Sequence, residues 1–355
     1  MARPFVSVLI DTYNHERFIE QAVVSALEQD FPPSECEIIV VDDGSTDATP
    51  EIVRKFEPRV RLVRKANGGQ ASAFNAGIPE CRGEIVAFLD GDDWWAPTKL
   101  SRVAPILRAD PEVGIVGHGT AAVYPDGRVQ TEVLRESFRY RLDSPEGART
   151  FSMRKSFLGT RSTIRSSILR RILPVPETIR IEADEFVFTM AAVLGDVQVV
   201  PEALFFYRIH ADNFFSLHGF REKGVRLKQQ SLAELAAQLS TRLRGLGLGD
   251  EAVRIVTAAI QVEADQLRLS LDGGYPWETV ATELALYRYL HGDAPLVHRG
   301  FKRATLLPAL VVPPRFYYRV RRWLAANGWY RRMRRYVFPV PQPGHVDRMW
   351  TADKA

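Results

Sequence analysis

Within the first 90 residues four short apolar runs alternate with three stretches of helical character, and this order admits few folds. The runs are Phe5 to Ile10, Glu37 to Val41 (apolar after its first residue), Val60 to Val63 and Ile85 to Leu89. Short, uninterrupted apolar runs suit strands covered on both faces. Between the first two, Glu16 to Gln29 sets Ile19, Val23, Ala26 and Leu27 at helical spacing and stops at Phe31-Pro32-Pro33. A helix over Thr49 to Phe56 follows, with Pro50 in its first turn. Asn67-Gly68-Gly69 then turns the chain into a small-residue helix, Gln70 to Ala76. The alternation predicts an α/β fold: an open, mostly parallel sheet flanked by helices.

In such sheets ligands bind beyond the carboxyl ends of the strands. Three polar clusters fall there: Asp11-Thr12-Tyr13-Asn14, Asp42 to Asp47, and Asp90-Gly91-Asp92-Asp93. One acidic turn is commonly just solvated, but three clusters at one sheet edge point to a site. Gly91 is expected to permit a sharp turn. Carboxylates so close repel one another unless a cation sits among them. Hard oxygens suit Mg²⁺ or Mn²⁺, which favour phosphate co-ligands. Neither G-x-x-x-x-G-K-[ST] nor G-x-G-x-x-G follows the first strand. Phosphate is therefore expected to be held through a carboxylate-bound metal.

After Trp95 the pattern changes. Pro97 to Leu107 reads as a helix, Val113 to Gly117 as a strand, and Asp126-Gly127 as a hairpin turn. Residues 130–158 are polar and receive no assignment. Ser162 to Arg165 reads as a strand leading into a helix through Ile172. Another helix opens at Ile181 to Glu185 and runs to Leu194. Val197 to Val200 and Leu204 to Arg208 read as two strands, and His210 follows. From Arg221 the chain is helical, with glycine breaks at 245–249 and 273–274. The expected division is 1–215 as the α/β domain, 216–300 as a helical section and 301–355 as a basic, aromatic tail.

At 355 residues the chain can bury a large core, and 46% hydrophobic with 25% charged residues excludes a disordered protein. A net charge of +4 does not argue for nucleic acid, and no recognised motif supports that partner. Cys36 and Cys81 form neither a metal-ligand pattern nor a disulfide framework, which suits a reducing, cytoplasmic setting. The expected strand at Phe5 leaves no room for a signal peptide. No stretch reaches the roughly 20 apolar residues of a spanning helix. Leu306 to Val312, the best candidate, is short and contains Pro308. Between Phe301 and Val340 lie ten Lys or Arg residues and no acidic one, interleaved with Phe316, Tyr317, Tyr318, Trp323, Trp329 and Tyr330. That pattern suits an anionic membrane surface at its inner, cytoplasmic face. A homodimer contact, or a helix packed on the body with its arginines in water, are the competing readings.

Val6 to Asn14, Ile39 to Asp47, Asn67 to Gly77 and Leu89 to Asp93 together resemble the family 2 glycosyltransferases of the GT-A fold. Tyr207-Arg208-Ile209-His210, with Asn213 after it, is similar to a late Y-R-x-H motif of that family. The resemblance covers residues 4–215. It implies transfer of a sugar, with inversion, from a nucleotide diphosphate to an acceptor hydroxyl. UDP-sugars are the commonest donors in the family, while GDP- and dTDP-sugars stay open. Asp11, Tyr13 and Asp43 match positions that hold the base and nucleoside, with Asp42 shaping the turn. Core packing is the plain alternative for Tyr13. Asn67 and Gly68 match a loop that passes near the nucleotide. Asp90 matches a residue near ribose and metal, Asp92 the direct metal ligand, and Asp93 a residue that faces the donor sugar or steadies the loop. His210 would complete the metal or diphosphate site; its imidazole suits Mn²⁺ better than Mg²⁺. Arg208 would pair with the diphosphate. The resemblance places the general base at Asp184, with Glu182 and Glu185 as rivals because the family's usual glutamate is displaced to Glu182. A carboxylate there is equally able to cap the helix. The helical section and tail suit a saccharide or lipid-linked acceptor, as in surface polysaccharide synthesis. Two other classes stay open: a nucleotidyltransferase, which would need a Gly-rich basic loop after the first strand, and an inactive scaffold, which would have lost a metal aspartate or the base.

Overall fold

The computed structural model describes residues 4–210, 222–292, 294–326, 346–347 and 350–351. The chain divides into two compact units. One holds Met1–Leu142, Arg154–His210 and Val346–Ala355; the other holds Asp143–Met153 and Ala211–His345.

The first unit is built on β1 (Val6–Thr12), β2 (Cys36–Asp42), β3 (Val60–Arg64) and β4 (Ile85–Asp90). These run parallel in the order β3-β2-β1-β4. The connecting helices are α1 (Ile19–Leu27), α2 (Thr49–Arg54) and α3 (Gln70–Gly77). Val6, Val8, Ile10, Val40, Ile85, Ala87 and Leu89 share one core with Ile19, Val23 and Ala26 of α1. Burial of each of the larger of these contributes about 1.5–3 kcal/mol. The alternation read from the sequence is therefore the sheet itself.

The sheet continues through β5 (Trp94–Trp95), β6 (Val113–Val123), β7 (Val129–Leu134), β8 (Phe138–Tyr140), β9 (Thr163–Arg165) and β10 (Asp196–Arg208). β9 lies antiparallel between β4 and β6, and β10 runs parallel to β6. Helices α4 (Lys99–Ala109), α6 (Ser166–Ile172) and α7 (Ala183–Leu194) belong to this unit; α5 (Pro145–Arg154) lies almost wholly in the second. Two short strands, β11 (Val346–Asp347) and β12 (Trp350–Thr351), pair with β7.

Two readings are corrected here, and one gap is filled. β6 runs to Val123, past the expected end at Gly117, because its glycines and His118 interrupt the apolar run without leaving the sheet. A Cβ at Gly117 would sit 2.4 Å from the Phe157 carbonyl oxygen, and one at Gly119 would sit 2.7 Å from that of Glu132. The two strands expected over 197–208 are one, with register shifts around Pro201 where a proline cannot donate to the ladder. Residues 130–158 carry most of β7, then β8 and α5. These elements are mostly half-buried and alternate poorly, so the hydrophobic pattern is silent there.

The second unit is helical: α8 (Glu222–Gly245), α9 (Asp250–Asp272), α10 (Trp277–Leu290), α11 (Leu296–Leu306) and α12 (Pro314–Ala326). Arg331, Arg332, Arg334 and Arg335 of the tail, and Asn213 of the late motif, lie outside the described residues. Among the described residues, no helix is long and apolar enough to cross a membrane.

Candidate active site

Asp11 is the penultimate residue of β1 and Asp90 ends β4. They are register partners on adjacent parallel strands, so the fold sets two carboxylates side by side. Past Asp90 the chain turns and re-enters the sheet as β5. Trp94 and Trp95 pair there with Phe206 and Phe205 of β10, and Trp94 stacks on Phe206 at 5.2 Å. This pairing brings Arg208 and His210 beside Asp92 and Asp93, more than a hundred residues away in sequence. Gly91 serves differently from expectation. A Cβ there would sit 2.5 Å from Thr12 Oγ1, so glycine is required by close approach to β1.

One ligand oxygen from each of Asp90, Asp92 and Asp93 lies within 4.8 Å of the others. His210 Nε2 stands 3.1 Å from Asp92 Oδ2, and its ring packs on Phe18 at 4.5 Å. His15 Nε2 stands 3.9 Å from the same oxygen. The Arg208 backbone N–H donates to Asp93 Oδ1 at 2.7 Å. The Arg208 guanidinium donates to the Asp92 carbonyl at 2.8 Å and to Gln21 Oε1 at 2.6 Å.

Burial, then mutual repulsion, pushes the Asp11 carboxyl up to about 7 and those of Asp90 and Asp93 well above the usual range. Burial opposes the charge on Asp92 too. There the His210 hydrogen bond and the nearby imidazoles outweigh it, and the carboxyl is held low. Among the described residues, buried Asp11 Oδ1 and Asp93 Oδ2 have no hydrogen-bond partner. Crowded anionic oxygens with unmet acceptor capacity fit a hard divalent cation. The 3.1 Å between His210 Nε2 and Asp92 Oδ2 also fits. Two ligands at right angles, each about 2.1 Å from one ion, stand about 3.0 Å apart.

Asp184 lies in the first turn of α7. Burial first, and then Glu185, raises its carboxyl to about 6. The α7 N-terminus is not capped by a side chain of its own: its N-cap, Glu182, sits at φ 62° and makes no capping bond. Gln70 of α3 does that work, its Oε1 accepting from the N–H groups of Ala183 (3.0 Å) and Asp184 (3.3 Å). Gln70 also helps to hold the Asp11 carboxyl down, against burial and the charge of Asp184. Thr160 lies near both sites: its hydroxyl donates to Asp90 Oδ2 at 2.5 Å, and its backbone helps to hold the Asp184 carboxyl down. Gly159, at φ 106°, leaves room for the carboxylate: a Cβ there would sit 3.1 Å from Asp184 Oδ2. Glu185 is taken by an ion pair with Lys155.

The remaining expected residues lie at the ends of β1 and β2. Tyr13 is 44% exposed, which removes core packing as its explanation. Buried Asp42 accepts from the Ser45 N–H at 3.0 Å and pairs with Arg64 at 2.9 Å, so it shapes the turn. Asp43 braces the neighbouring loop, accepting from Lys65 Nζ (2.6 Å) and from the N–H groups of Gly68 (3.0 Å) and Gly69 (2.7 Å). Asn67 is exposed in that loop. A Cβ at Gly68 would sit 2.6 Å from Ser72 Oγ.

Sequence reasoning missed the capping role of Gln70, and missed His15, Thr160 and Lys65 altogether. His15 stands one residue beyond the first polar cluster, and Gln70 stands inside a quoted motif, so both had a signal. Thr160 had none, because only the fold brings it to Asp90. Gln70→Leu is expected to strand the first N–H groups of α7. Leaving such buried donors unmet costs about 1–3 kcal/mol. Denaturant unfolding checks this; unchanged stability would mean that Gln70 does not support the helix.

Comparison with known proteins agrees with this geometry. Residues 7–171 match the family model described as Glycosyl transferase family 2. EpsH of Bacillus subtilis, named as a glycosyltransferase, is 30% identical over 254 residues, covering 66% of this chain and 70% of EpsH. An uncharacterized glycosyltransferase of Nostoc sp. is 32% identical over 218 residues, covering 59% of this chain and 66% of that protein. An uncharacterized Mycobacterium tuberculosis protein is 30% identical over 215 residues, and the match spans 58% of this chain and 59% of it. TarS 1–349 of S. aureus, solved with UDP-GlcNAc, superposes with a TM-score of 0.57 at 19% identity over 99% of this chain and 98% of that one. The fold is therefore GT-A: a mostly parallel, curled sheet flanked by helices with a helical region after it. The chain belongs to glycosyl transferase family 2.

Proposed function

We propose that this chain is an inverting, metal-dependent glycosyltransferase. It moves a sugar from a nucleotide diphosphate, a UDP-sugar, to a hydroxyl of a saccharide or lipid-linked acceptor in surface polysaccharide or glycoconjugate synthesis. It works in the cytoplasm, at the inner face of the membrane. The observation that carries the reading is the pairing of two unlike carboxylate sites. An acidic, oxygen-rich cluster (Asp11, Asp90, Asp92, Asp93) lies beside a half-buried carboxylate, Asp184, poised near 6, whose charge acts on Asp11 and whose backbone N–H is held by Gln70.

Asp92, with His210 and Asp90, would hold Mn²⁺ or Mg²⁺, which when bound offsets the charge of the leaving diphosphate. Arg208 offers a further cation on the same side. Asp184 takes the proton of the acceptor hydroxyl as that oxygen attacks the anomeric carbon. A single displacement needs one such base, and this supports inversion. Tyr13 presents an exposed ring to the base, while Asp43 holds the 65–69 loop against the nucleoside. The UDP-GlcNAc in TarS supports a UDP donor. Asp11 to Asn14 is no Gly-rich basic loop, which disfavours a nucleotidyltransferase, and the retained carboxylates disfavour an inactive scaffold.

Calorimetric titration tests the donor class. UDP, GDP and dTDP are each added with Mn²⁺, with Mg²⁺ and with chelator. UDP is expected to bind only when metal is present, and more tightly with Mn²⁺. Failure of all three nucleotides under every condition would overturn the reading.

A further inference from the structure

We propose that the outer face of α11 and α12 docks on an anionic lipid surface, lying on the bilayer rather than crossing it. Of the large apolar side chains exposed among the described residues, most fall between residues 275 and 323. Leu296, Leu307, Val311, Phe316, Val320 and Trp323 are among them, and Val311 (85%), Phe316 (64%) and Trp323 (62%) stand well out in solvent. Phe316, Val320 and Trp323 follow the i, i+4, i+7 spacing of one helical stripe.

That stripe has nowhere to turn, because the opposite face of α12 is already committed. Tyr318 is buried in a cluster with Leu269, Val280, Leu306 and Ala309. Glu283 of α10 binds Lys302 of α11 at 2.6 Å and the Arg321 guanidinium of α12 at 2.9 Å. Burial works against the Glu283 charge, but these two cations hold its carboxyl below the usual range. The three helices are thus clamped by one carboxylate, and the apolar stripe is held outward.

Charge selects the occupant. From residue 294 to 346 the chain has eleven Lys or Arg and no Asp or Glu. Arg303, Arg315 and Arg319 are exposed within the described part. Arg315 and Arg319 each spend a hydrogen bond on the last carbonyls of α9, at 2.9 and 3.1 Å, and a guanidinium has further N–H groups to offer. A second copy meeting this face would set cations against cations. Nucleic acid would take the arginines but gain nothing from Leu296, Leu307 and Val311. An anionic bilayer takes both, with the apolar residues in the acyl boundary and the arginines among the headgroups. The inference stands apart from the transfer chemistry, and its test has no activity readout.

Full-length protein is floated with phosphatidylcholine vesicles, with and without phosphatidylglycerol, at low and high salt. Flotation is expected only with phosphatidylglycerol, weakening as salt rises. Arg303→Glu should lower partitioning about tenfold. The double variant Phe316→Ser/Trp323→Ser alters exposed side chains only; it should keep the parent melting temperature and lose flotation. Three outcomes would overturn the proposal: no flotation at low salt, equal flotation with neutral vesicles, or a serine variant that still floats but sediments as a smaller oligomer. The last would make the face a contact between copies.

Discussion

Asp184→Asn is expected to slow sugar transfer by about 10²–10⁴-fold, the usual worth of a positioned general base, while nucleotide binding stays intact. Asparagine keeps the size and shape of the side chain but carries no charge and cannot accept a proton at this pH. Asp184 lies in the first turn of α7 and is not one of the Asp90-Asp92-Asp93 group, although its charge acts on Asp11. The loss should therefore fall on kcat. Glu185→Gln should cost far less, since Glu185 is already spent on Lys155. The parent kcat/KM should rise with pH towards a shoulder near the Asp184 value of about 6, because only the ionised carboxylate accepts a proton. Turnover unchanged in Asp184→Asn would place the base elsewhere, with Glu182 the first to test.

The ends of β1, β2 and β4 were legible in the sequence because each apolar run stops abruptly at an aspartate. A strand buried on both faces cannot carry a carboxylate further in. That one signal located Asp11, Asp42, Asp43 and Asp90 together. It said nothing of how the cluster is closed. Arg208 and His210 reach Asp92 only because Trp94 and Trp95 pair with Phe206 and Phe205, a tertiary event with no local periodicity. The cap on α7 was hidden for a related reason. Sequence rules look for a capping side chain beside its own helix, whereas Gln70 caps from 113 residues away. Gly91 shows that a correct residue can be assigned the wrong cause. A glycine after a strand suggests turning, but here it makes room for Thr12.

Adding Mn²⁺ to metal-free protein is expected to raise stability, and the gain should grow as pH rises from 5 to 7. The sign follows from the cluster and from the neighbouring Asp184. Asp11 and Asp184 carry folded values of about 7 and 6 against an ordinary 3.8, and Asp90 and Asp93 are raised as well. The folded, metal-free state therefore holds protons that the unfolded chain has released. The stability these groups supply is complete below about pH 4 and is lost as pH climbs through their folded values. For Asp184 alone the swing is about 3 kcal/mol. His15, His118 and His291 pull the other way, since burial lowers their values and they shed protons on folding. The metal-dependent difference at each pH, measured by denaturant unfolding, separates the two trends. A cation needs the carboxylates ionised, so it binds better as they lose protons. At a hundredfold excess over its Kd it should add about 2.7 kcal/mol. Asp92→Asn removes the carboxylate shared by both imidazoles and should abolish most of that gain. A Mn²⁺ effect that is flat with pH, or equal in Asp92→Asn and the parent, would show that the acidic cluster is not where the ion binds.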